Sequence, residues 1–286
     1  MPTEVKKIAE GKTKIVWPAD GPHAVRIESK PDITAGDGAK HDVIEGKAEA
    51  ANATTCNVFE LLEGAGVWTH YIERVDSRSF LATLAEMIPI ELVTRRIATG
   101  SYLKRNPGAV EGEVFDDLVF EMFWKDDDLN DPFIVVDEIE SALVLYPADQ
   151  PVETATPIKK IPFTELDFKD QNPFWILRRL EQMTRRTFEV IEDAWAEQGV
   201  QFVDLKIECG WVCDPDEEGP DLAVADVIDN DSWRIWPAGE KSRQLDKQVY
   251  RELADSDDPK AHAKALGKIL DNYDEVAEKT AKFEAD

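Results

Sequence analysis

From position 200 the chain reads VQFVDLKIECGWV, in which Val203, Leu205 and Ile207 alternate with Asp204, Lys206 and Glu208. A period of two belongs to a β-strand, so the apolar residues turn to a core and three ionisable side chains share the opposite face. A second apolar run, LAVADVID, follows the acidic turn DPDEEGPD, and the two runs predict an antiparallel hairpin that brings Asp226 towards Glu208. Earlier, VKKIAEGKTKIVW at 5–17 predicts a hairpin turned at Glu10-Gly11, and AVRIES at 24–29 a further strand. MIPIELVTRRIATGSYL begins as a β-branched run, and LVFEMFWKDDD at 118–128 is a strand ending in charge.

Three segments change period. Between Glu45 and Gly66, apolar or small residues recur at three and four (Ala48, Ala51, Thr55, Val58, Leu61, Leu62), which is an amphipathic helix stopped by Gly64 and Gly66. Asn172 followed by Pro173 is an N-cap and first-turn proline for a helix running to Gly199, and AHAKALGKILDNYDEVAEKTAKF closes the chain as another. Residues 130–170 lack periodicity and hold Pro132, Pro147, Pro151, Pro157 and Pro162, which predicts a long, irregular and mobile excursion. No internal repeat is visible.

The chain has 286 residues, 43% of them hydrophobic, with eight Trp, enough to fold as two modest domains or one two-lobed one. Its 59 acidic and 33 basic side chains give a net charge of -26. Such a field repels nucleic acid and anionic membranes, and a phosphate-bearing ligand has to be held by a local basic site. Three cysteines make no disulfide framework and CGWVC lacks the CxxC spacing, which reads as reduced thiols of the cytoplasm. No apolar leader or membrane-length run is present, so a cytoplasmic protein without a membrane partner is expected.

Against that acidity, RRIATGSYLKRNPG (95–108) sets Arg95, Arg96, Lys104 and Arg105 around Gly100 and Ser101 without a carboxylate. Exposed amides, a hydroxyl and guanidinium forks are the means of binding a phosphate, so an anion site is expected here. In EGKTK, Gly11 lets the backbone approach a ligand, and Lys12 and Lys14 lie two apart on one face. By itself that segment reads better as a solvated hairpin than as a phosphate site. DITAGDGAKHD presents Asp37 between two glycines, suited to an amine or a metal, although turns use the same residues for local reasons. Glu208 with Asp226 would hold Mg2+ beside nucleotide phosphates; the competing reading is a ribbon with cross-strand ion pairs. Arg234, Lys247 and Arg251 add cations downstream, and the four histidines have no zinc or triad spacing.

In order along the chain, EGKTK, DITAGDGA, EMIPIE, RRIATGSYLKRNPG, NDP, VDLKIECG, ADVIDNDSWRIWP and DKQVYR resemble the SAICAR synthetases, and most nearly the synthetase half of the bifunctional animal enzymes. The resemblance covers residues 6 to about 252 and leaves no length for a carboxylase half. It implies an α+β, two-lobed ATP-grasp-like fold with antiparallel sheets and flanking helices. The small lobe would span 1–88 and the larger, with the C-terminal helix, 89–286. It also implies the ATP-dependent joining of L-aspartate to the carboxylate of CAIR (carboxyaminoimidazole ribonucleotide), giving SAICAR, ADP and phosphate with Mg2+ as cofactor, through an acyl phosphate. Small-molecule substrates are its partners, and a homo-oligomer is left open.

By position, the resemblance assigns Lys12, Lys14, Lys125 and Glu208 to ATP, Glu208 and Asp226 to magnesium, and Arg95, Gly100, Ser101 and Arg234 to CAIR. Lys247 and Arg251 line the substrate pocket, and Asp37, Asp131 and Lys206 stand at the reacting end. Val227 follows the metal aspartate where many bacterial relatives carry glutamate, so Asp229 is a candidate to complete that shell. A small-molecule kinase of similar fold would share the Asp-x-Lys strand and metal aspartate, but not the GDG and RRIATGS segments. A non-catalytic nucleotide-binding module is the remaining alternative.

Overall fold

Short apolar runs broken by tight turns build the first part of the chain, as the patterning requires. The computed structural model describes residues 6–21, 23–36, 38–169, 171–213, 219–253 and 258–285. Strands β1 (Ala9–Glu10), β2 (Lys14–Pro18) and β3 (Ala24–Ser29) lead to a separate hairpin of β4 (Asp32–Ala35) and β5 (Lys40–Val43). Helix α1 (Lys47–Gly64) follows, then β6 (Tyr71–Arg74) and β7 (Ser79–Thr83). Apart from the β4–β5 pair, these strands form one antiparallel sheet in the order β1-β2-β3-β7-β6. Val25 and Ile27 point from β3 into the core, where they meet Phe59 of α1 and Phe80 of β7.

A second sheet takes the rest: β8 (Glu86–Ile97), β9 (Val114–Trp124), β10 (Phe133–Asp137), β11 (Ala142–Tyr146), β12 (Lys159–Pro162), β13 (Val200–Cys213), β14 (Pro220–Ala225) and β15 (Trp233–Pro237). Its order is β12-β11-β10-β9-β8-β13-β14, and all its pairings are antiparallel. The 14-residue β13 is the axis. One edge pairs with β8; the other pairs first with β15, from Val200 to Leu205, and then with β14, from Glu208 to Cys213. Between those two partners the chain leaves the sheet as the loop 226–232, next to Lys206, whose amide donates to Ser232 O at 2.7 Å.

Short α2 (Ser101–Arg105) lies between β8 and β9, and the long α3 (Pro173–Glu197) covers the apolar face of the sheet. As its sequence predicts, α3 starts with the Asn172 side chain accepting from Phe174 N at 3.0 Å and Pro173 in the first turn. Phe188 stacks on Phe202 at 4.7 Å and Trp195 meets Trp233 edge-on at 5.6 Å, tying helix to sheet. After α4 (Gln248–Arg251), α5 (Pro259–Thr280) returns to the first part of the chain. There Ile269 and Tyr273 pack with Ile33, Ile44, Ala50 and Ala51.

The segment at 130–170, expected to be irregular throughout, instead contributes three strands to the sheet: β10, β11 and β12 extend it as successive antiparallel strands, with loops between and after them. Pro132 immediately precedes β10, Pro147 follows β11 and Pro162 ends β12, while Pro151 and Pro157 lie in the loop between β11 and β12, so none of the five breaks a strand. Leu143, Leu145 and Ile161 belong to the main core. Leu143→Ala is therefore expected to destabilise the protein by about 2–5 kcal/mol in urea unfolding, whereas a mobile loop would lose almost nothing.

Candidate active site

Pairing β8 and β9 beside β13 extends the polar face of that strand sideways. Arg95 lies opposite Asp204, Val93 opposite Lys206 and Glu91 opposite Glu208, while Glu121 of β9 lies opposite Val93. At one end, Asp204 Oδ2 accepts from Arg95 Nη1 at 2.7 Å, Arg234 Nη1 at 2.5 Å and Thr99 Oγ1 at 2.9 Å. Burial disfavours this carboxylate, but Arg234 and Arg95 outweigh it and hold its pKa below the ordinary range. Arg95 Nε also donates to Glu121 at 2.6 Å, and Glu121 in turn takes Arg105.

At the other end, Lys206 donates to Glu91 at 2.7 Å and Lys125 to Glu208 at 2.5 Å, while Lys14 from the β1–β2 hairpin pairs with Asp226. Burial acts against the Lys206 ammonium, yet Glu91 and Glu208 keep its pKa raised; Glu208, opposed by burial, is lowered by Lys125 and Lys206. Lys14 behaves differently: burial pushes it down to about 8, with Lys125 and Lys206 adding to the fall against Glu208. Asp131 is raised by burial, with Glu91 and Asp127 contributing.

Two cavities open onto this face. The larger, about 960 Å3, runs from Gly11, Lys12 and Lys14 of the hairpin to Lys125, Glu208 and Asp226. The smaller, about 330 Å3, is lined by Arg95, Ser101, Asp204 and Arg234, with Phe123 and Trp233 as apolar walls. They share Glu91, Asp131, Lys206, Asp231, Ser232 and Arg251, so a ligand in one reaches a ligand in the other.

Most of the residues expected from the sequence gather here, though not all as expected. Lys12 stands at the cleft mouth, 3.6 Å from Asp127. Lys247 lines the larger cavity and donates to Asp231 at 2.6 Å, and Arg251 lines both. Asp37 lies outside the described residues, while its neighbours Gly36 and Gly38 are on the wall of the larger cavity. Gly100 lines neither cavity. Its φ is 57°, and a Cβ there would stand 2.9 Å from Arg234 Nη2, so it makes room for that guanidinium.

The carboxylate-free basic run is a feature of the sequence alone. Glu121 and Asp204 take up Arg95, Glu192 takes Arg96 in a two-point pair at 2.7 and 2.8 Å, and Glu121 with Ala148 O takes Arg105. What remains for a ligand is the Nη2 edge of Arg95, 3.4 Å from Ser101 Oγ, beside Arg234 and Arg251.

Asp229 lines neither cavity: it is buried, its Oδ1 accepts from Asp231 N at 2.8 Å, and burial followed by Asp231 raises it to about 6. Asp231 takes the place on the cleft wall, its pKa lowered against burial by Lys47 and Lys247. Sequence reasoning missed both Asp231 and Glu91; the even spacing of Glu91, Val93 and Arg95 in β8 was the signal for the latter.

Among the described residues, no three His, Cys, Asp or Glu side chains converge as a ready metal cage. Glu208, which pairs with Ala225 at the end of β14, and Asp226, the next residue along the chain, both line the larger cavity and are a two-carboxylate set. That set suits Mg2+ whose remaining ligands are water and phosphate oxygens.

Known proteins share this arrangement of the chain. The family model for SAICAR synthetase matches residues 7–266. The phosphoribosylaminoimidazole-succinocarboxamide synthase of Roseiflexus sp. (strain RS-1) is 42% identical over 277 residues, covering 96% of each chain. The bifunctional phosphoribosylaminoimidazole carboxylase/phosphoribosylaminoimidazole succinocarboxamide synthetase of Homo sapiens is 39% identical over 275 residues, which are 96% of this chain and 58% of that protein. A solved SAICAR synthetase (Type-2) in complex with ADP superposes with a TM-score of 0.72 at 27% identity, over 98% of this chain and 100% of that one. Since the matched span takes in both sheets and every segment that lines the two cavities, the chain belongs to the SAICAR synthetase family.

Proposed function

We propose that this chain catalyses ATP + CAIR + L-aspartate → SAICAR + ADP + phosphate, with ATP in the larger cavity and CAIR in the smaller. The observation that carries the reading is the shared wall, where Lys206, Asp131 and Arg251 face both cavities. The family's reaction is the ATP-dependent ligation of aspartate in purine biosynthesis. The ADP bound by the solved relative supports the nucleotide assignment. The cleft is read as lying between a small lobe, 1–88, and a larger one, 89–286, and the cytoplasm as the enzyme's location.

In this reading Lys12, Lys14 and Lys125 meet the nucleotide phosphates, with Lys14 exchanging Asp226 and Lys125 exchanging Glu208 for a phosphate oxygen. Glu208 and Asp226 are thereby freed for Mg2+, which supplies charge neutralisation of the polyphosphate. Arg234, Ser101 and the free edge of Arg95 hold the phosphate and carboxylate of CAIR. Its carboxylate oxygen attacks the γ-phosphorus of ATP, the bond to the ADP oxygen breaks, and an acyl phosphate forms. Lys206 stabilises the charge that spreads over the moving phosphoryl group. The aspartate amine then attacks the acyl carbon, phosphate leaves, and the amine proton passes to a nearby carboxylate, for which Asp131 and Asp37 are the candidates. Burial raises Asp131, which suits it to accept that proton.

The direct test is to follow ADP and SAICAR together while omitting each substrate in turn. Equal amounts of both, formed only with ATP, CAIR, aspartate and Mg2+ all present, are expected; aspartate-independent phosphoryl transfer would instead identify a kinase. In the same assay Glu208→Gln is expected to abolish both products, and near-normal kcat in that variant would remove Glu208 from the metal site.

Lys14 supplies a pH signature. With its folded pKa near 8, below the unfolded lysine value, the unfolded chain binds the extra proton between those values, so this group makes stability rise with pH across that window. Its charge is lost over the same interval, so kcat/KM for ATP is expected to fall as pH rises through about 8. Lys14→Arg should move that limb to higher pH; an unshifted limb would assign it to another group.

A further inference from the structure

Two short segments meet beside the larger cavity, and the mechanism does not account for how they are held. The β4–β5 hairpin ends in the glycine turn, with Gly36 and Gly38 on the cavity wall, and α4 carries Arg251 with Lys247 just before it. A two-stranded sheet of four-residue strands and a four-residue helix are each too short to hold themselves in place. Something has to fix their orientation.

Asp42 on β5 supplies the link. One of its carboxylate oxygens accepts from the Tyr250 hydroxyl at 2.8 Å, and the other lies 2.8 Å from His262 Nε2 in the first turns of α5. Lys40, on the same face of β5, donates to the carbonyls of Tyr250 at 3.1 Å and Leu253 at 2.5 Å. Its ammonium also sits 4.6 Å from the Tyr250 ring centroid. Tyr250 is fully buried, packed with Ile33 of β4 and Ile269 and Tyr273 of α5. Asp42 stays below the ordinary carboxylate range: burial acts the other way, and the His262 and Tyr250 hydrogen bonds outweigh it.

We propose that Asp42 is a positioning residue, fastening the glycine hairpin to the segment bearing Lys247 and Arg251 so that both walls of the cleft are set as one unit. The proposal rests on the reading of the larger cavity as the nucleotide site. Removing the Tyr250 hydroxyl leaves the ring packing in place and releases one arm of the link. Tyr250→Phe is therefore expected to raise KM for ATP and for CAIR by about tenfold, the scale of a lost hydrogen bond to a charged group, with kcat changed less than about twofold. A purely structural role would lower kcat with active fraction and leave both KM values in place.

Hydrogen exchange on the full-length protein separates the two layers of the argument. With ADP and Mg2+, slowing is expected in the wild type both at 32–43 and at 258–266, which lies off the cavity, and in Tyr250→Phe at 32–43 alone. Should Tyr250→Phe fold poorly, His262→Gln releases the other arm from a more exposed position and is expected to give the same split. Slowing confined to 32–43 in the wild type, or wild-type KM values in the variants, would overturn the link and leave the nucleotide site standing. If ADP slows neither segment in the wild type, the nucleotide reading and the proposal fall together.

Discussion

Everything on the polar face of β13 depends on one buried carboxylate oxygen. Asp204 Oδ2 takes hydrogen bonds from Arg95, Arg234 and Thr99, which come from β8, β15 and the turn after β8. A carboxylate removed from water is tolerated only when its charge is matched and its lone pairs are used. Here the cations in turn need the anion, since Arg95 is also buried and, among the described residues, has Glu121 as its one other carboxylate partner. Breaking such a set strands a charge on either side, so any shift that separates these strands is strongly disfavoured. Gly100 belongs to the same constraint, because only a residue without a Cβ leaves the Arg234 guanidinium its place.

Once that end is fixed, the spacing of the strand sets the rest. Lys206 and Glu208 follow Asp204 at two-residue steps, beside Glu91 of β8, and reach the point where β13 changes partner from β15 to β14. There the 226–232 loop leaves the sheet and contributes Asp226, Asp231 and Ser232 to the cavity walls. The five lysines over the larger cavity, Lys12, Lys14, Lys125, Lys206 and Lys247, are each countered by a carboxylate, which limits the positive charge left bare there. It also means that a phosphate ligand and a divalent cation can enter by exchanging partners with Lys14–Asp226 and Lys125–Glu208. No large rearrangement of fixed charge is needed for that exchange.

Features confined to a few consecutive residues were legible in the sequence. The period-two alternation located β13 and its three charges, the Asn172-Pro173 pair located the start of α3, and the hairpin of β13 and β14 brought Asp226 to Glu208. Features that depend on distant partners were not. The basic run around Gly100 looked unpaired because Glu121, Glu192 and Asp204 are supplied by other strands and by α3. Prolines at 130–170 suggested an irregular excursion because sequence alone does not separate a proline at a strand end from one in a loop. Within DND, which aspartate faces the cleft is decided by an Asx-type turn at Asp229, a choice between neighbours that composition cannot make. The Asp42–Tyr250 contact, 208 residues apart, left no trace in local pattern.

The most direct measurement is of Asp204→Asn, which keeps the shape of the side chain and removes its charge. If this carboxylate organises the face, urea unfolding of the variant shows a loss of about 3–5 kcal/mol, the scale of a broken buried ion pair. Titration of the folded variant then shows CAIR affinity reduced by about tenfold or more while ADP binds as before, because Arg95 and Arg234 lose their shared anchor and the larger cavity does not. Wild-type stability with unchanged CAIR binding would contradict the account, and would mean that the arginines are held in place by something other than Asp204.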